Sequence, residues 1–283
     1  KKLLTDLFRS VPDFLLVFGL MQIVIGTAFI VVALVTDGIT IVPAVWWAIA
    51  SGLAFAGGLL LFFTVLKLEE ASRAVPVMGL APVAAILIGV IFLGERLTLI
   101  QWIAVIFVIV GAVLVSLRNE NGVFRVVRGR AFFLLIVAAG AIGLAFVVTK
   151  LAAIAMDTWA VQGISTLVTG IASVTVVLRS RTISYIPIFL RDTQTLGLML
   201  LTEGLLAPAA VLTLIIALEA GPVSLVSVIW ASRPLLVFVL SIALSTPVWN
   251  VLREPLDRET LGLKMISTVL IVGGLVTLGI WTD

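Results

Sequence analysis

The chain contains no cysteine and no histidine. Without thiols there is no disulfide and no thiolate nucleophile. Without imidazole the usual zinc ligand sets and the commonest general base near neutral pH are gone. Charge is also scarce, with Asp, Glu, Lys and Arg at 12% of the 283 residues. A soluble domain carries about 25%. By contrast, 62% of the residues are hydrophobic. So few ions cannot keep such a surface in water, so the solvent is lipid. HExxH, GxSxG and the phosphate-binding P-loop pattern are missing too, which removes the commonest routes to metalloprotease, serine hydrolase and ATPase chemistry. Lys150 is the one lysine placed for a Ser–Lys dyad, and it stands at a membrane edge with no evident serine partner. The expectation is therefore a protein that is not an enzyme, with no catalytic residues, no metal and no cofactor.

What is present is a series of long apolar runs. About 20 apolar residues cross a bilayer as a helix, and nine runs of that kind can be drawn, near 14–36, 44–66, 72–93, 98–117, 131–149, 158–178, 194–218, 222–246 and 261–281. Lipid offers backbone groups no hydrogen bonds, so runs this long and uniform are helices. The first is too long for the h-region of a signal peptide. The net charge is +3, with no basic stripe interleaved with aromatics, so nucleic acid is not an expected partner. Alternate connections hold nearly all the cations: Lys1, Lys2 and Arg9, then Lys67 and Arg73, the arginines of 118–130, those of 179–191, and Arg253, Arg258 and Lys264. The other side holds Arg96 and Lys150. That asymmetry predicts cytoplasmic loops at 118–130 and 179–193, with the C-terminus outside. Trp46, Trp47, Trp102, Trp249, Trp281 and Tyr185 fall near run ends, where an aromatic belt would lie.

The sequence also repeats itself. Residues 95–117 align without a gap to 257–279, pairing Arg96, Thr98, Leu99, Ile109, Val110 and Gly111 with Arg258, Thr260, Leu261, Ile271, Val272 and Gly273. Leu68-Glu69 meets Leu218-Glu219, and Lys2-Leu3 meets Lys150-Leu151. The second copy has five runs and the first has four, because the run 131–149 has no counterpart before Lys2. An odd number of helices per copy inverts one copy relative to the other. The expected fold is an all-α polytopic membrane protein of two inverted five-helix repeats. Its first helix is absent from this sequence, leaving nine, so the upstream reading frame should supply about 20 further apolar residues. The repeats are expected at 1–117 and 131–283, joined by a cytoplasmic linker at 118–130.

The run Leu93-Gly94-Glu95-Arg96-Leu97-Thr98, the following Gln101 and Ile109-Val110-Gly111-Ala112, and the stretch Leu66 to Pro76 resemble the drug/metabolite transporter superfamily, specifically EamA-type permeases. The resemblance implies ten helices in two inverted repeats, a central cavity, and alternating-access transport of small organic solutes. This sequence departs from it in starting one helix late and in reading Asp-Arg-Glu-Thr in its second copy.

Two charges stand where charges are costly. Glu203 lies about ten residues into 194–218, and Arg233 about eleven into 222–246, so both fall near the midplane at about 1.5 Å per residue. Each costs about 2.5–3.5 kcal/mol at a helix centre and needs a cavity or a partner there. They read either as a structural pair or as a substrate and proton site. Pro208 and Pro234 stand close by and interrupt helical hydrogen bonding. Trp230 and Ser232, with Gln22 and Gln162, complete the expected substrate-binding set. Thr149 and Ser227 are further polar positions that read either as lining the same cavity or as packing and hydrogen-bonding between helices. The expected partners are the bilayer, a small-molecule substrate, and protons or a counter-substrate as the energy source. The expected state is a monomer or homodimer in the plasma membrane, working as an exporter of metabolites or drugs. The alternative is a membrane scaffold or a flippase-like subunit.

Overall fold

The computed structural model describes residues 11–36, 42–66, 77–94, 96–116, 118–120, 123–125, 130–178 and 193–223, with isolated positions up to 274. The described chain is helical apart from one short ladder. In order come α1 (Val11–Thr36), α2 (Val45–Val65), a 3-10 turn at Met78–Leu80 leading into α3 (Ala81–Phe92), and α4 (Leu99–Ser116). The strands β1 (Arg118–Glu120) and β2 (Val123–Arg125) follow, then α5 (Arg130–Ala153) and α6 (Thr158–Leu178). Last come α7 (Thr193–Met199), a π-helical stretch at Leu200–Leu206, and α8 (Ala207–Ala220). Five helical stretches are long and apolar enough to cross a membrane: Pro12–Thr36, Val45–Val65, Arg130–Ala153, Thr158–Leu178 and Leu200–Ala220. The expected runs 222–246 and 261–281 lie outside the described residues, apart from isolated positions.

Of the run 72–93, residues 72–76 lie outside the described residues. Its described helix is α3, only 12 residues long, with Pro82 in its first turn. Proline lacks the N–H that an upstream helical carbonyl needs, but costs nothing at the first helical positions, where N–H groups have no intrahelical partner. Pro82 therefore starts this helix rather than kinking it.

The chain divides into two compact units, each drawing on both stretches of the sequence. The first holds residues 1–67 and 144–221, and the second 68–143 and 222–283. In the first unit α1 and α6 run antiparallel at backbone contact. A Cβ on Gly26 would stand 2.5 Å from the Leu167 nitrogen and 2.9 Å from the Gly163 carbonyl oxygen. One on Gly170 would stand 2.7 Å from the Gly19 carbonyl oxygen. Lipid tails are as apolar as leucine, so helices gain by close approach, and small residues permit it. Alanine does the same at one end of this unit, where Ala33, Ala44, Ala48, Ala152, Ala153 and Ala160 pack with Ile215. The other end is filled by Phe14, Phe18, Phe63, Val177 and Met199, with the Phe14 and Phe63 rings 4.9 Å apart.

Polar ends tie the first unit together. Lys150 donates from Nζ to the carbonyl oxygen of Gly221 at 2.7 Å. That places a cation at the end of α8, where helix carbonyls lack partners. Thr158 donates to Glu219 at 3.1 Å. Asp157 caps α6 by accepting from the amides of Trp159 and Ala160. Exposed threonines along the apolar helices turn their hydroxyls inward: Thr27, Thr64, Thr175 and Thr213 each bond the carbonyl four residues back. These four hydroxyls therefore present no unpaired donor to hydrocarbon. Trp46 and Trp47, at the start of α2, are exposed as a belt requires.

In the second unit the family-like turn at 93–101 has a mechanical explanation. Gly94 has φ +66°, the left-handed conformation that ends α3 and that glycine adopts without a Cβ penalty. Thr98 and Gln101 then form a reciprocal cap on α4: the Gln101 amide donates to the Thr98 hydroxyl, and the Thr98 amide donates to Gln101 Oε1 at 2.7 Å. Helix α5 passes α3 at Gly143, where a Cβ would stand 2.7 Å from the Ala85 nitrogen.

Candidate functional site

Glu203 occupies the middle of the π-helical stretch Leu200–Leu206. The cause of that stretch lies just after it. Pro208 has no N–H to offer the carbonyl of Gly204, and its ring would collide with that carbonyl in a regular α-helix. The chain widens instead, and the amide of Ala207 reaches back five residues to the carbonyl of Thr202. Such widened turns inside α-helices recur at functional sites. Leu200, Leu201, Leu205 and Leu206 around it are exposed, while Glu203 itself is half-buried. A carboxyl in an apolar span thus turns partly away from the surface that its leucine neighbours present.

The π-helical stretch packs against α1. A Cβ on Gly204 would lie 3.8 Å from Met21 Cε, so Gln22 and Glu203 are the chain neighbours of two residues in contact. Gln22 is half-buried. Gln162 lies on a different face. It is 2% exposed, and its Nε2 donates to Thr166 Oγ1 at 2.9 Å. Its Oε1 is buried with no hydrogen-bond partner. Gln162, Thr166, Thr169 and Ser173 follow helical spacing along α6, and all four are buried. Thr169 donates to the Gly52 carbonyl on α2 at 3.1 Å, which turns this stripe toward α2. Beside it Ser51 of α2 and Thr149 of α5 share a buried hydroxyl pair at 2.6 Å.

The structure thus sets the π-helical stretch that bears Glu203 against α1, which bears Gln22, and sets Gln162 in a polar stripe of the same unit. Trp230, Ser232, Arg233 and Pro234 lie outside the described residues. The stripe residues Thr166, Thr169 and Ser173 were not singled out from sequence. Their signal was there, in hydroxyls recurring at intervals of three and four within an apolar run. Among the described residues no three acidic side chains are grouped so as to hold a metal ion.

Comparison with known proteins places these features. Residues 6–117 match the EamA-like transporter family. The matched EamA-like segment holds α1 and α2, which carry Gln22 and the Gly52 carbonyl, and it contains the Gly94 and Thr98–Gln101 turn. An uncharacterized transporter encoded in the region 3′ of cobO in Sinorhizobium sp is 42% identical over 66 residues, covering 23% of this chain and 47% of that protein. An uncharacterized protein of Methanocaldococcus jannaschii is 35% identical over 71 residues, covering 25% of this chain and 51% of its own length. The chain spans about half the length of the curated relatives it matches. A solved crystal structure of a protein shares the fold, with a TM-score of 0.66 over 98% of this chain and 91% of the other at 19% identity. Residues 6–117 are thus similar to EamA-like transporters, in a chain whose described residues include five helices long and apolar enough to cross a membrane.

Proposed function

We propose that the protein is a secondary transporter of small organic solutes, working by alternating access around an intramembrane site that includes Glu203. The observation that carries the proposal is the half-buried carboxyl at the centre of a π-helical turn, set inside an apolar span and against the helix that bears Gln22. The turn lies about 15 Å along the continuous helical stretch that begins at Thr193, near the depth where substrates and coupling ions of such transporters bind. Gln162 adds a buried amide with an unpartnered oxygen, a group that a solute hydroxyl, an N–H or a water would satisfy. Arg233, Trp230 and Ser232 belong to the proposal on sequence grounds, as the second intramembrane charge and its neighbours. Protons or a counter-substrate supply the energy. Export across the plasma membrane is the direction proposed.

The proposal includes two inverted copies, at 1–117 and 131–283. What supports it is the reciprocity of the α1–α6 contact. Gly19 meets Gly170, and Gly26 meets Gly163, in opposite directions along the two helices. Two equivalent helices related by an axis in the membrane plane would meet in this way. The register that equates Gly19 with Gly163 and Gly26 with Gly170 also equates Asp13 with Asp157, Val17 with Val161 and Leu34 with Leu178. It lies one helical turn from the register anchored by Lys2 and Lys150.

A thermal-stabilisation screen of the purified chain against a panel of metabolites tests the site. A solute at about 100 times its Kd stabilises the native state by about 2.7 kcal/mol. Glu203→Gln should keep the ligand-free unfolding temperature and lose the solute-induced rise, together with uptake into proteoliposomes. If the variant binds and transports like the parent, Glu203 is not in the site. If no solute stabilises the parent, solute transport itself is the wrong reading.

A further inference from the structure

Helix α6 is sealed by apolar packing near both ends and is polar between them. Ala160 and Val161 belong to the alanine-rich cluster, and Val177 to the phenylalanine cluster. Two of the buried hydroxyls in between are settled on backbone: Thr169 donates to the Gly52 carbonyl and Ser173 to the Thr169 carbonyl. Gln162 is not settled. Its Nε2 donates to Thr166 Oγ1 at 2.9 Å, and its buried Oε1 accepts nothing. Turning the amide over cures nothing, because Thr166 would then donate to the oxygen and both N–H donors would be stranded. Apolar packing on either side keeps bulk water from relieving the cost.

Helix α1 supplies a second amide at the same level. The two helices run antiparallel, with Gly26 against Gly163 and Gly19 against Gly170. Beside that seam the Phe29 and Trp159 rings meet at 5.8 Å. Seven residues bring a helix back to within about 20° of the same side, after about 10 Å of rise. Seven back from Phe29 is Gln22, and seven on from Trp159 is Thr166. In antiparallel helices both steps run the same way. They land between the two glycine contacts, so Gln22 and Thr166 share one side of the seam and one level along it. Thr169 marks the edge of the polar stripe nearest α2. Thr166 stands about 60° round the helix from it, on the edge toward α1. Gln22 is half-buried. Its chain neighbour Met21 lies against Gly204, so the π-helical stretch of Glu203 borders the same level.

The guest that completes this arrangement donates to Gln162 Oε1 and accepts from the remaining N–H of Gln162 or from the Thr166 hydroxyl, which still carries its own proton. A carboxylate has no proton to give, and an ammonium has no lone pair. A hydroxyl does both from one atom. We propose that Gln22, Gln162 and Thr166 form a subsite for a hydroxyl group of the transported solute. The subsite rests on the transport reading and adds a substrate class to it: organic solutes that carry a hydroxyl. Water is the other source of the same chemistry, and the experiment separates the two.

Matched solutes that differ by one hydroxyl test this on the purified full chain: ethanolamine with ethylamine, serine with alanine, ribose with deoxyribose, and any solute from the metabolite screen with its deoxy analogue. In at least one pair the hydroxylated member should raise the unfolding temperature at a concentration about tenfold or more below its partner, because a site built around a hydroxyl is left with unpaired groups by the analogue that lacks it. Isotopic labelling of glutamine nitrogen gives a second readout. The side-chain signals of Gln22 and Gln162 should move together when that member is added, while Gln101, in the first turn of α4, stays still. Gln162→Leu should keep or raise the ligand-free unfolding temperature, since it deletes the unpaired oxygen and leaves Thr166 able to bond the carbonyl four residues back. It should also erase the preference within the pair. Solutes that bind without preference and move neither signal leave water as the guest, which overturns the subsite while the transport reading stands. A preference that survives Gln162→Leu also overturns it, as does movement of Gln162 without Gln22. If no solute stabilises the parent, the transport reading falls and the subsite falls with it.

Discussion

A single methyl group separates two outcomes among the glycines of the first unit. At Gly26 an added Cβ meets the backbone of Leu167 and Gly163 at under 3 Å. Backbone cannot rotate aside, so α1 and α6 must part. At Gly57, in the middle of α2, an added Cβ meets nothing within 4 Å. We expect Gly26→Ala to lower stability by about 1–3 kcal/mol, as overpacking does, and Gly57→Ala to raise it by about 0.5–1 kcal/mol through reduced backbone entropy. Thermal unfolding of the two variants in the same detergent checks both signs, and two losses of similar size would show that the α1–α6 approach is not special. At this scale the sequence showed which residues were small or polar, but not which glycines carried a contact. Gly57 and Gly26 look alike in a list of glycines, and only the neighbour across the interface separates them. The same holds for Gln162. Its polar type marked it as a candidate, whereas its unpartnered oxygen is a property of the fold around it.

At the scale of elements, proline acts in two ways in this chain. Pro82 opens a helix and Pro208 widens one, because Pro82 falls where N–H groups have no helical partner and Pro208 falls where one is required. Replacing Pro208 by alanine restores the missing donor. The π-helical stretch should then close to α-helix, turning Glu203 by about 100° relative to α8, the angle of one helical residue. Pro208→Ala should therefore raise ligand-free stability and reduce the solute-induced rise in unfolding temperature, although Glu203 is still present. A variant with unchanged solute response would show that the widened turn does not aim Glu203. Most element positions were legible from apolar runs: 14–36, 44–66, 131–149 and 158–178 became α1, α2, α5 and α6 within a few residues. In the run 72–93, of which 72–76 lie outside the described residues, hydropathy counts Pro82 as one more apolar residue and does not register its missing donor.

At the scale of the molecule, the charge asymmetry of the loops makes a directional prediction. The native chain has no cysteine, so any introduced one is a unique label. Asn119→Cys, in β1, should react with a membrane-impermeant maleimide only from the cytoplasmic side. Ala155→Cys, in the turn between α5 and α6, should react only from outside. Labelling of both from one side would break the antiparallel sense assigned to these connections. The compact units could not be read this way. Each unit takes residues from both stretches of the sequence, because packing follows which helix faces meet and not the order in which the chain supplies them.

The sequence alone determined the solvent, the helical class and the scarcity of intramembrane charge, because these follow from composition and run length. Twenty apolar residues must be helical in lipid whatever they touch. It also located Glu203, since a charge in an apolar run is visible without coordinates. Only the tertiary structure decided which glycines touch, which hydroxyls pair across helices, that Lys150 closes the end of α8, and that Glu203 lies in a π-helical turn against α1. Those facts depend on what stands opposite each residue, and a helix of uniform hydropathy does not reveal which of its faces is turned inward.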